Sequence, residues 1–289
     1  MMIKTIFQLL RVKHWVKNVL ICIPLLFSLS ISPGHIPTLL IGFVLFSIAS
    51  SIVYIINDIN DKDDDRKHPT KRHRPIASGR VAIRTAWLSV AVLISAAIAI
   101  VTLYPSLNST SGSIVAFYVI INVLYSLRFK HIPIVDIFIL ATGFVLRVIF
   151  GAVIFNIPLS DWLLLTVLCA SLYMGIGKRR NELSMSKITR KVNKLYSFNF
   201  LNNSLYAFFA LTICFYSLWS INDTSHIPHA IYTAPLVTLI LMSYNLKLDS
   251  KSCDGDPVNV LLGDKTMIVL TMSYVLLLVA LIATKGLML

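Results

Sequence analysis

The sequence SSIVYIINDINDKDDDRKHPTKRHR at residues 50–74 joins the end of a long apolar run to a dense cluster of charge. Five aspartates, from Asp58 to Asp65, precede seven basic residues, histidine included. Positive-inside topology favours Lys and Arg in such a segment and does not account for the aspartates. The segment therefore predicts a membrane helix that opens onto a site for a metal ion and phosphate groups.

The spacing of three of the aspartates predicts a shared helical face. Asp58, Asp61 and Asp65 lie at i, i+3 and i+7, which on one helix places their carboxylates one turn apart. Neighbouring carboxylates repel each other, and Mg²⁺ relieves this because it takes oxygen ligands and keeps positions for substrate phosphates. Asn57 can add a neutral amide oxygen. The predicted metal ligands are Asn57, Asp58, Asp61 and Asp65.

The basic residues after the aspartates are predicted to bind phosphate oxygens. Lys71, Arg72 and Arg74 follow within a few positions, and guanidinium and ammonium groups are the usual protein partners of phosphate. The alternative is a solvated cytoplasmic loop without a ligand, which explains the basic residues and leaves the aspartates unexplained.

Composition places the chain in a membrane. Of its 289 residues, 56% are hydrophobic and 13% are charged, which is too apolar for a soluble domain of this size. Apolar stretches of about 15 to 23 residues mark candidate spans. They lie at 18–32, 37–56, 82–104, 113–127, 133–155, 161–177, 204–221, 231–246 and 266–284. The predicted fold is an all-α bundle of nine transmembrane helices in one domain, 1–289.

The distribution of positive charge predicts the orientation. All Lys and Arg residues except Arg147 and Lys285 lie in or beside the amino-terminal segment and the loops after spans two, four, six and eight. The positive-inside rule then places the amino terminus in the cytoplasm of a multi-pass inner-membrane protein. Its functional loops are predicted on the cytoplasmic side, at about 57–80, 125–136, 178–203 and 247–265. The net charge of +13 is mostly this bias, so no nucleic-acid partner is predicted.

Two further cytoplasmic segments carry candidate site residues. In RVKHWVKN, at 11–18, Lys17 and Asn18 enter the first span, where phosphate binding and interfacial anchoring are equally consistent with the pattern. In YSLRFKHIPIVD, at 125–136, Tyr125 and Lys130 precede a single carboxylate, Asp136, at the mouth of the fifth span. A helix cap is the simpler reading of Asp136. Asp136 is a candidate site residue because the aspartate-rich segment at 57–65 needs a partner on the opposite side of the helical bundle.

Arg147 is a functional candidate because of its position. It lies well inside the fifth span, in GFVLR at 143–147, where a guanidinium is costly unless it is paired or reaches a wet cavity. A structural ion pair is the alternative. Lys178 and Arg179, in GKRRNEL at 177–183, follow the sixth span. They suit phosphate or sugar hydroxyl groups, or serve only as a positive-inside flank.

These motifs together resemble the UbiA-type intramembrane prenyltransferase superfamily, over essentially the whole chain. The aspartate pattern at 57–65 is common to that superfamily. The motifs at 11–18, 68–79, 143–147 and 177–183 look most like its decaprenyl-phosphate phosphoribosyltransferase branch. The resemblance implies a UbiA-like helical bundle and transfer of 5-phosphoribosyl from phosphoribosyl diphosphate to a polyprenyl phosphate, for cell-envelope polysaccharide synthesis.

The resemblance also implies roles for the candidate residues. Asp58 and Asp61 would hold the Mg²⁺ that stabilises the leaving diphosphate, and Asp136 would lie near the positive charge that develops on the ribose. The lipid phosphate is assigned to Lys17, Lys130 and Arg147. The ribose 5-phosphate is assigned to Lys71, Arg72, Arg74 and the basic cluster at 178–180.

Two other functions compete with this one. An aromatic or quinone prenyltransferase of the same superfamily usually carries a second DxxxD motif. The loop at 125–136, a place where that motif would fall, has only Asp136. A non-catalytic lipid transporter or channel with a cation site would need polar residues near the bilayer midplane, and Arg147 is nearly alone in that position.

Overall fold

The computed structural model describes residues 2–28, 32–184, 191–222, 227, 229–250, 259–260 and 263–287, and no strand occurs among them. The α-helices are α1 Met2–Leu9, α2 Ile23–Phe27, α3 His35–Asn60, α4 Lys62–Lys67, α5 Ile83–Leu103, α6 Ser109–Leu127, α7 Val135–Phe155, α8 Asp161–Ser184, α9 Phe198–Asn222, α10 Ala234–Leu248 and α11 Lys265–Leu287. Short 3₁₀ helices cover Lys71–His73, Phe129–His131, Lys191–Leu195 and Ala230–Thr233, and a long one covers Val12–Cys22.

Within the described residues, eight helices are long and apolar enough to cross a membrane, namely α3 and α5 to α11, with α10 counted together with the 3₁₀ helix Ala230–Thr233 that leads into it. They match the second to ninth predicted spans, which confirms the predicted all-α membrane fold. Their ends differ from the predictions by a few residues, and α8 and α9 extend furthest beyond them. The count of nine and the cytoplasmic amino terminus stay predictions.

The predicted first span, 18–32, takes a different form. Its described part consists of the end of the 3₁₀ helix Val12–Cys22 followed by the short α2, and residues 29–31 lie outside the described part of the chain. A 3₁₀ run of this length is unusual, because poorer hydrogen-bond geometry normally limits such runs to three or four residues. Tertiary contacts hold the segment, since Gly151 of α7 lies directly against the Ile21 carbonyl, where a Cβ would collide.

The packing contacts form two compact units, whereas the single domain over 1–289 stays a prediction. The first unit comprises Met1–Pro24, Ser32–Ile139 and Leu146–Ile157, and the second comprises Leu25–Ile31, Leu140–Val145 and Pro158–Leu289.

Helix α3 is the centre of the first unit. It packs against the 3₁₀ helix Val12–Cys22, α5 and α6. Phe46, fully buried on α3, packs its ring at a tilt against Tyr118 and edge-to-face against Phe150, with ring centroids 4.7 and 5.3 Å apart. Small residues on α3, such as Ala49 and Ser50, allow neighbouring backbones to approach, as is usual between membrane helices.

In the second unit, α8 and α9 form the most extensive helix pair. Gly177 of α8 lies where a Cβ would meet Leu248 of α10 and Leu205 of α9, so it permits close packing of three helices. The Tyr173 hydroxyl donates to the Leu241 carbonyl at 3.0 Å, which ties α8 to α10.

Candidate functional site

The three predicted metal-binding aspartates do not lie on one continuous helix, which corrects the sequence prediction. Helix α3 ends at Asn60, Asp61 forms the joint with φ −92° and ψ 5°, and Asp65 belongs to the separate short helix α4. Hydrogen bonds of the α-helical type still cross this joint, from the Asp61 amide to the Asn57 carbonyl at 2.9 Å and from the Asp65 amide to the Asp61 carbonyl at 2.8 Å. Asp58 and Asp65 are both buried, with only 2% and 3% of their surface exposed.

Arg74 brings two of these aspartates together across the joint. Its Nη1 atom donates to Asp58 Oδ1 at 3.1 Å and to Asp65 Oδ2 at 2.6 Å. The predicted phosphate ligand Arg74 is therefore bound to the carboxylates in this structure. Its neighbours Lys71 and Arg72 lie on the 3₁₀ turn that precedes it, and Arg72 is exposed with Nε 3.3 Å from Nε2 of His73.

Asp58 has a second arginine partner, which sequence reasoning missed. Arg11 donates to Asp58 Oδ1, and its guanidinium lies 4.8 Å from the centre of the Tyr54 ring. The other carboxylate oxygen, Asp58 Oδ2, is buried and has no hydrogen-bond partner among the described residues. No spacing rule relates residue 11 to residue 58. The only available signal was that Arg11 opens the motif RVKHWVKN.

Asp61 connects the aspartate segment to the loop between α6 and α7. Lys130 binds Asp61 Oδ1, and Asn57 Nδ2 donates to Asp61 Oδ2 at 3.0 Å. Ser126 in turn donates to Asn57 Oδ1 at 3.0 Å. The structure thus brings the predicted metal ligand Asn57 and the predicted phosphate ligand Lys130 to the same carboxylate.

The remaining predicted residues of the first unit also lie on its helices. Asp136 is completely buried in the first turn of α7, and Tyr125 is buried on α6. Lys17 is half-buried on the 3₁₀ helix Val12–Cys22.

Within the cluster, the pKa of Asp65 is shifted by its surroundings. Burial raises the pKa of Asp65, the nearby Asp58 carboxylate raises it further, and the cations Arg74 and Lys71 oppose both effects. Three carboxylates, Asp58, Asp61 and Asp65, are balanced here by three cations, Arg11, Arg74 and Lys130.

The carboxylates of this cluster are candidate ligands for a divalent cation. Among the described residues, no group of three or more His, Cys, Asp or Glu side chains is arranged around a common metal position. The chemistry of the set fits a hard cation all the same, because its members are carboxylate oxygens and the buried Asp58 Oδ2 lacks a partner. Binding would require Arg74 and Lys130 to leave the carboxylates.

Arg147 lies in a polar cluster inside the first unit. Its Nε donates to Asn18 Oδ1 at 2.7 Å, and its Nη2 donates to the Tyr118 hydroxyl at 3.0 Å and to Ser50 Oγ at 3.2 Å. The guanidinium also lies about 5 Å from the centres of the Phe46 and Tyr118 rings. Arg147 and Asn18 are 4% and 0% exposed. The two residues were both predicted to contact substrate, and the structure binds them to each other.

The basic cluster GKRRNEL lies in the second unit and is helical, not part of a loop, because α8 continues to Ser184. Lys178 and Arg179 are therefore helix residues. Arg179 Nη1 donates to Glu182 Oε2 at 2.9 Å, and Asn193 donates to the same oxygen at 2.9 Å. Arg180, the third basic residue of this cluster, binds Asp249 and donates to Asn202 at 2.8 Å.

The sequence profile of the UbiA prenyltransferase family matches residues 21–257. The chain belongs to this family. A similar relative is the decaprenyl-phosphate phosphoribosyltransferase of Corynebacterium glutamicum, 32% identical over 92% of this chain and 83% of the relative. Another is the protein of that name from Mycolicibacterium smegmatis, 30% identical over 95% of this chain and 91% of the relative.

Solved structures of the UbiA family share the fold. A UbiA homolog from Archaeoglobus fulgidus, bound to DMAPP and Mg²⁺, aligns with a TM-score of 0.73 at 19% identity, covering 96% of this chain and 98% of that one. A UbiA homolog from Aeropyrum pernix aligns with a TM-score of 0.62 at 16% identity, covering 95% and 97%. The predicted superfamily is thus confirmed, and the chain is a multi-pass membrane enzyme of the prenyltransferase type.

Proposed function

We propose that this UbiA-family enzyme transfers 5-phosphoribosyl from phosphoribosyl diphosphate to a polyprenyl phosphate, with Mg²⁺ as cofactor. The products are polyprenyl-phosphoryl-5-phosphoribose and diphosphate, for use in cell-envelope polysaccharide synthesis. The names of the relatives that align over more than nine-tenths of this chain support the reaction. We further propose that the protein resides in the inner, cytoplasmic membrane with its site on the cytoplasmic side, as the distribution of Lys and Arg supports.

The observation that carries the proposal is the charge-balanced cluster of Asp58, Asp61 and Asp65 with Arg11, Arg74 and Lys130. Such a cluster suits a ligand that brings a divalent cation and phosphate groups together. The carboxylates can then coordinate the cation, and the basic side chains can bind the phosphates. Every charged group thus keeps a partner of opposite charge. A ligand with phosphate and no metal would leave three carboxylates without compensation.

In this reaction, an oxygen of the lipid phosphate attacks C1 of the ribose, and the bond from C1 to the diphosphate oxygen breaks. Bound Mg²⁺ would supply electrostatic stabilisation of the departing diphosphate. Asn57, Asp58, Asp61 and Asp65 would hold the cation. Asp136 would lie near the positive charge on the ribose, and its complete burial strengthens any such interaction.

The phosphate-binding roles are divided among the basic residues. We assign Lys17 and Lys130 to the lipid phosphate, and we propose Tyr125, which is buried on α6, as a further substrate-binding residue. Arg147, which the resemblance also assigned to that phosphate, is bound to Asn18, Ser50 and Tyr118. We assign Lys71, Arg72 and Arg74 of the first unit to the ribose 5-phosphate. The same role for Lys178 and Arg179 stays a prediction from the sequence. No strong general base is required, because the attacking phosphate is already anionic.

The decisive experiment combines purified protein with Mg²⁺, phosphoribosyl diphosphate and a polyprenyl phosphate. Mass spectrometry should detect a lipid heavier by one phosphoribosyl unit, and a chelator should abolish it. The runner-up is an aromatic or quinone prenyltransferase of the same family, which would transfer a prenyl group from a prenyl diphosphate. Product formation from a prenyl diphosphate and an aromatic acceptor, with none from phosphoribosyl diphosphate, would replace the proposed reaction with that one.

A further inference from the structure

Arg11 combines an unfavourable backbone conformation with a contact to the candidate site. Its φ of 50° and ψ of 46° lie in the left-handed region, which non-glycine residues adopt rarely. Three contacts hold it there. Its side chain binds Asp58, its carbonyl accepts from the His14 amide at 2.8 Å, and the carbonyl of the preceding Leu10 accepts from Ser51 Oγ at 3.0 Å. A strained residue at a site is a reason to look for what holds it in place.

The 3₁₀ helix that follows Arg11 is anchored to α3 at two further levels. Trp15 Nε1 donates to Ser51 Oγ at 3.1 Å. Lower in the unit, Asn18 Nδ2 donates to Ser47 Oγ at 2.9 Å, and Asn18 Oδ1 accepts from Arg147 and from Ser50. Both the nitrogen and the oxygen of the Asn18 side-chain amide therefore make hydrogen bonds, and the shortest of these is the bond from Arg147.

The 3₁₀ conformation brings the length of the segment closer to the length of α3 that it spans. The seven residues from Arg11 to Asn18 rise about 14 Å at the 3₁₀ value of ~2.0 Å per residue. On α3, Asp58 lies about 12 Å above Ser50 and about 16.5 Å above Ser47, at ~1.5 Å per residue. An α-helix from Arg11 to Asn18 would rise only about 10.5 Å. With Asn18 held at Ser47 and Ser50, the longer 3₁₀ rise shortens the distance that the Arg11 side chain spans to Asp58.

We infer that Arg147 and Asn18 form a hydrogen-bonded clamp that fixes the position of Arg11 along α3 and so holds it beside Asp58. Arg147 and Asn18 are therefore positioning residues. The clamp acts through the 3₁₀ helix and not by contact with the reacting groups. Its consequence for catalysis rests on the proposed function, because Arg11 occupies an oxygen of the carboxylate that we assign to the metal. By holding Arg11 there, the clamp makes a divalent cation compete with a guanidinium for Asp58.

The test uses Asn18→Ala, which removes the anchor without removing a charge, and Asn122→Ala as the matched control. Asn122 is also buried in the first unit, and its amide donates to the backbone carbonyl of Tyr118 at 2.8 Å, on the same helix, whereas Arg147 binds the Tyr118 hydroxyl. Hydrogen exchange of a peptide covering residues 8–20 should accelerate about tenfold in Asn18→Ala and remain at the wild-type rate in Asn122→Ala. Arg147→Gln should behave like Asn18→Ala. Unchanged exchange in Asn18→Ala would overturn the clamp.

A second measurement separates positioning from a general structural role. Mn²⁺ binding, followed by electron paramagnetic resonance, should tighten about tenfold in Arg11→Ala, because the competing cation is gone. Asn18→Ala should also tighten Mn²⁺ binding, and the double variant Arg11→Ala/Asn18→Ala should bind Mn²⁺ no more tightly than Arg11→Ala alone. If Arg11→Ala tightens binding and Asn18→Ala does not, the clamp does not position Arg11. A wild-type protein that binds no Mn²⁺ would contradict the metal site of the proposed function, and the exchange result would then decide the clamp by itself.

Discussion

The Nη1 atom of Arg74 lies 2.6 Å from Oδ2 of Asp65 and so joins the short helix α4 to the segment that leads into α5. The same atom reaches Asp58 on α3 at 3.1 Å. The Arg74 guanidinium therefore brings Asp58 and Asp65 together, whereas the aspartate spacing had suggested that one continuous helix would do so. The two buried carboxylates owe their proximity to a cation, and this makes the local stability dependent on charge.

We predict that Arg74→Gln destabilises the protein at neutral pH by about 2 kcal/mol, because two buried carboxylates lose a shared partner. Burial raises the pKa of Asp65, and loss of Arg74 should raise it further. A carboxyl whose pKa is raised on folding favours the folded state most when it is protonated, and this contribution is lost as pH rises through the folded pKa. The cost of Arg74→Gln should therefore be larger at pH 8 than at pH 5.5. Thermal unfolding in detergent at both values measures it, with exposed Arg72→Gln as the control. An equal loss at both pH values would contradict the prediction.

Asp58→Asn should lower turnover at least about a hundredfold while the protein stays folded, because it removes a carboxylate assigned to the metal and keeps the side-chain volume. The matched control is Asp63→Asn, since the Asp63 side chain is 85% exposed and pairs only loosely with Arg66 at 3.5 Å. The readout is phosphoribosyl transfer to a polyprenyl phosphate under saturating Mg²⁺. Equal activity of the two variants would remove Asp58 from the site.

Gly151→Ala should destabilise the first unit by about 1–3 kcal/mol, because the added Cβ would meet the Ile21 carbonyl oxygen and the backbone must move. Gly34→Ala is the control, since a Cβ there would lie 3.7 Å from its nearest neighbour. Melting temperatures in the same detergent provide the comparison. A Gly151→Ala protein that melts with the wild type would show that the 3₁₀ helix is not held against α7.

Arg180→Gln should destabilise the second unit by about 1–3 kcal/mol, because buried Arg180 connects the end of α8 to Asn202 of α9 and to Asp249, which follows α10. Asp249→Asn should cost less, since its side chain is 57% exposed and water can replace the lost partner. The double variant should lose no more stability than Arg180→Gln alone. Full additivity of the two effects in thermal unfolding would show that the pair is not coupled.

The membrane fold was predictable because its signal is local. Spans such as 37–56 and 82–104 are read from a run of apolar residues, and the matching helices α3 and α5 start and end within a few residues of them. The first span was harder, because residues 18–28 are as apolar as a span while contacts at Asn18 and Ile21 favour a 3₁₀ helix followed by a short α-helix. Such contacts come from distant parts of the chain and leave no mark in a hydropathy pattern.

By itself the sequence determined the family, the membrane class and the grouping of acidic and basic residues around Asp58, since composition and motif spacing are properties of short segments. Only the tertiary structure decided the partners. It placed Arg11 and Arg74 on Asp58, Lys130 on Asp61, and Arg147 on Asn18 in the core. The physical reason is that a charge inside a membrane protein must find compensation in three dimensions, and the nearest compensating group is seldom a neighbour in the chain.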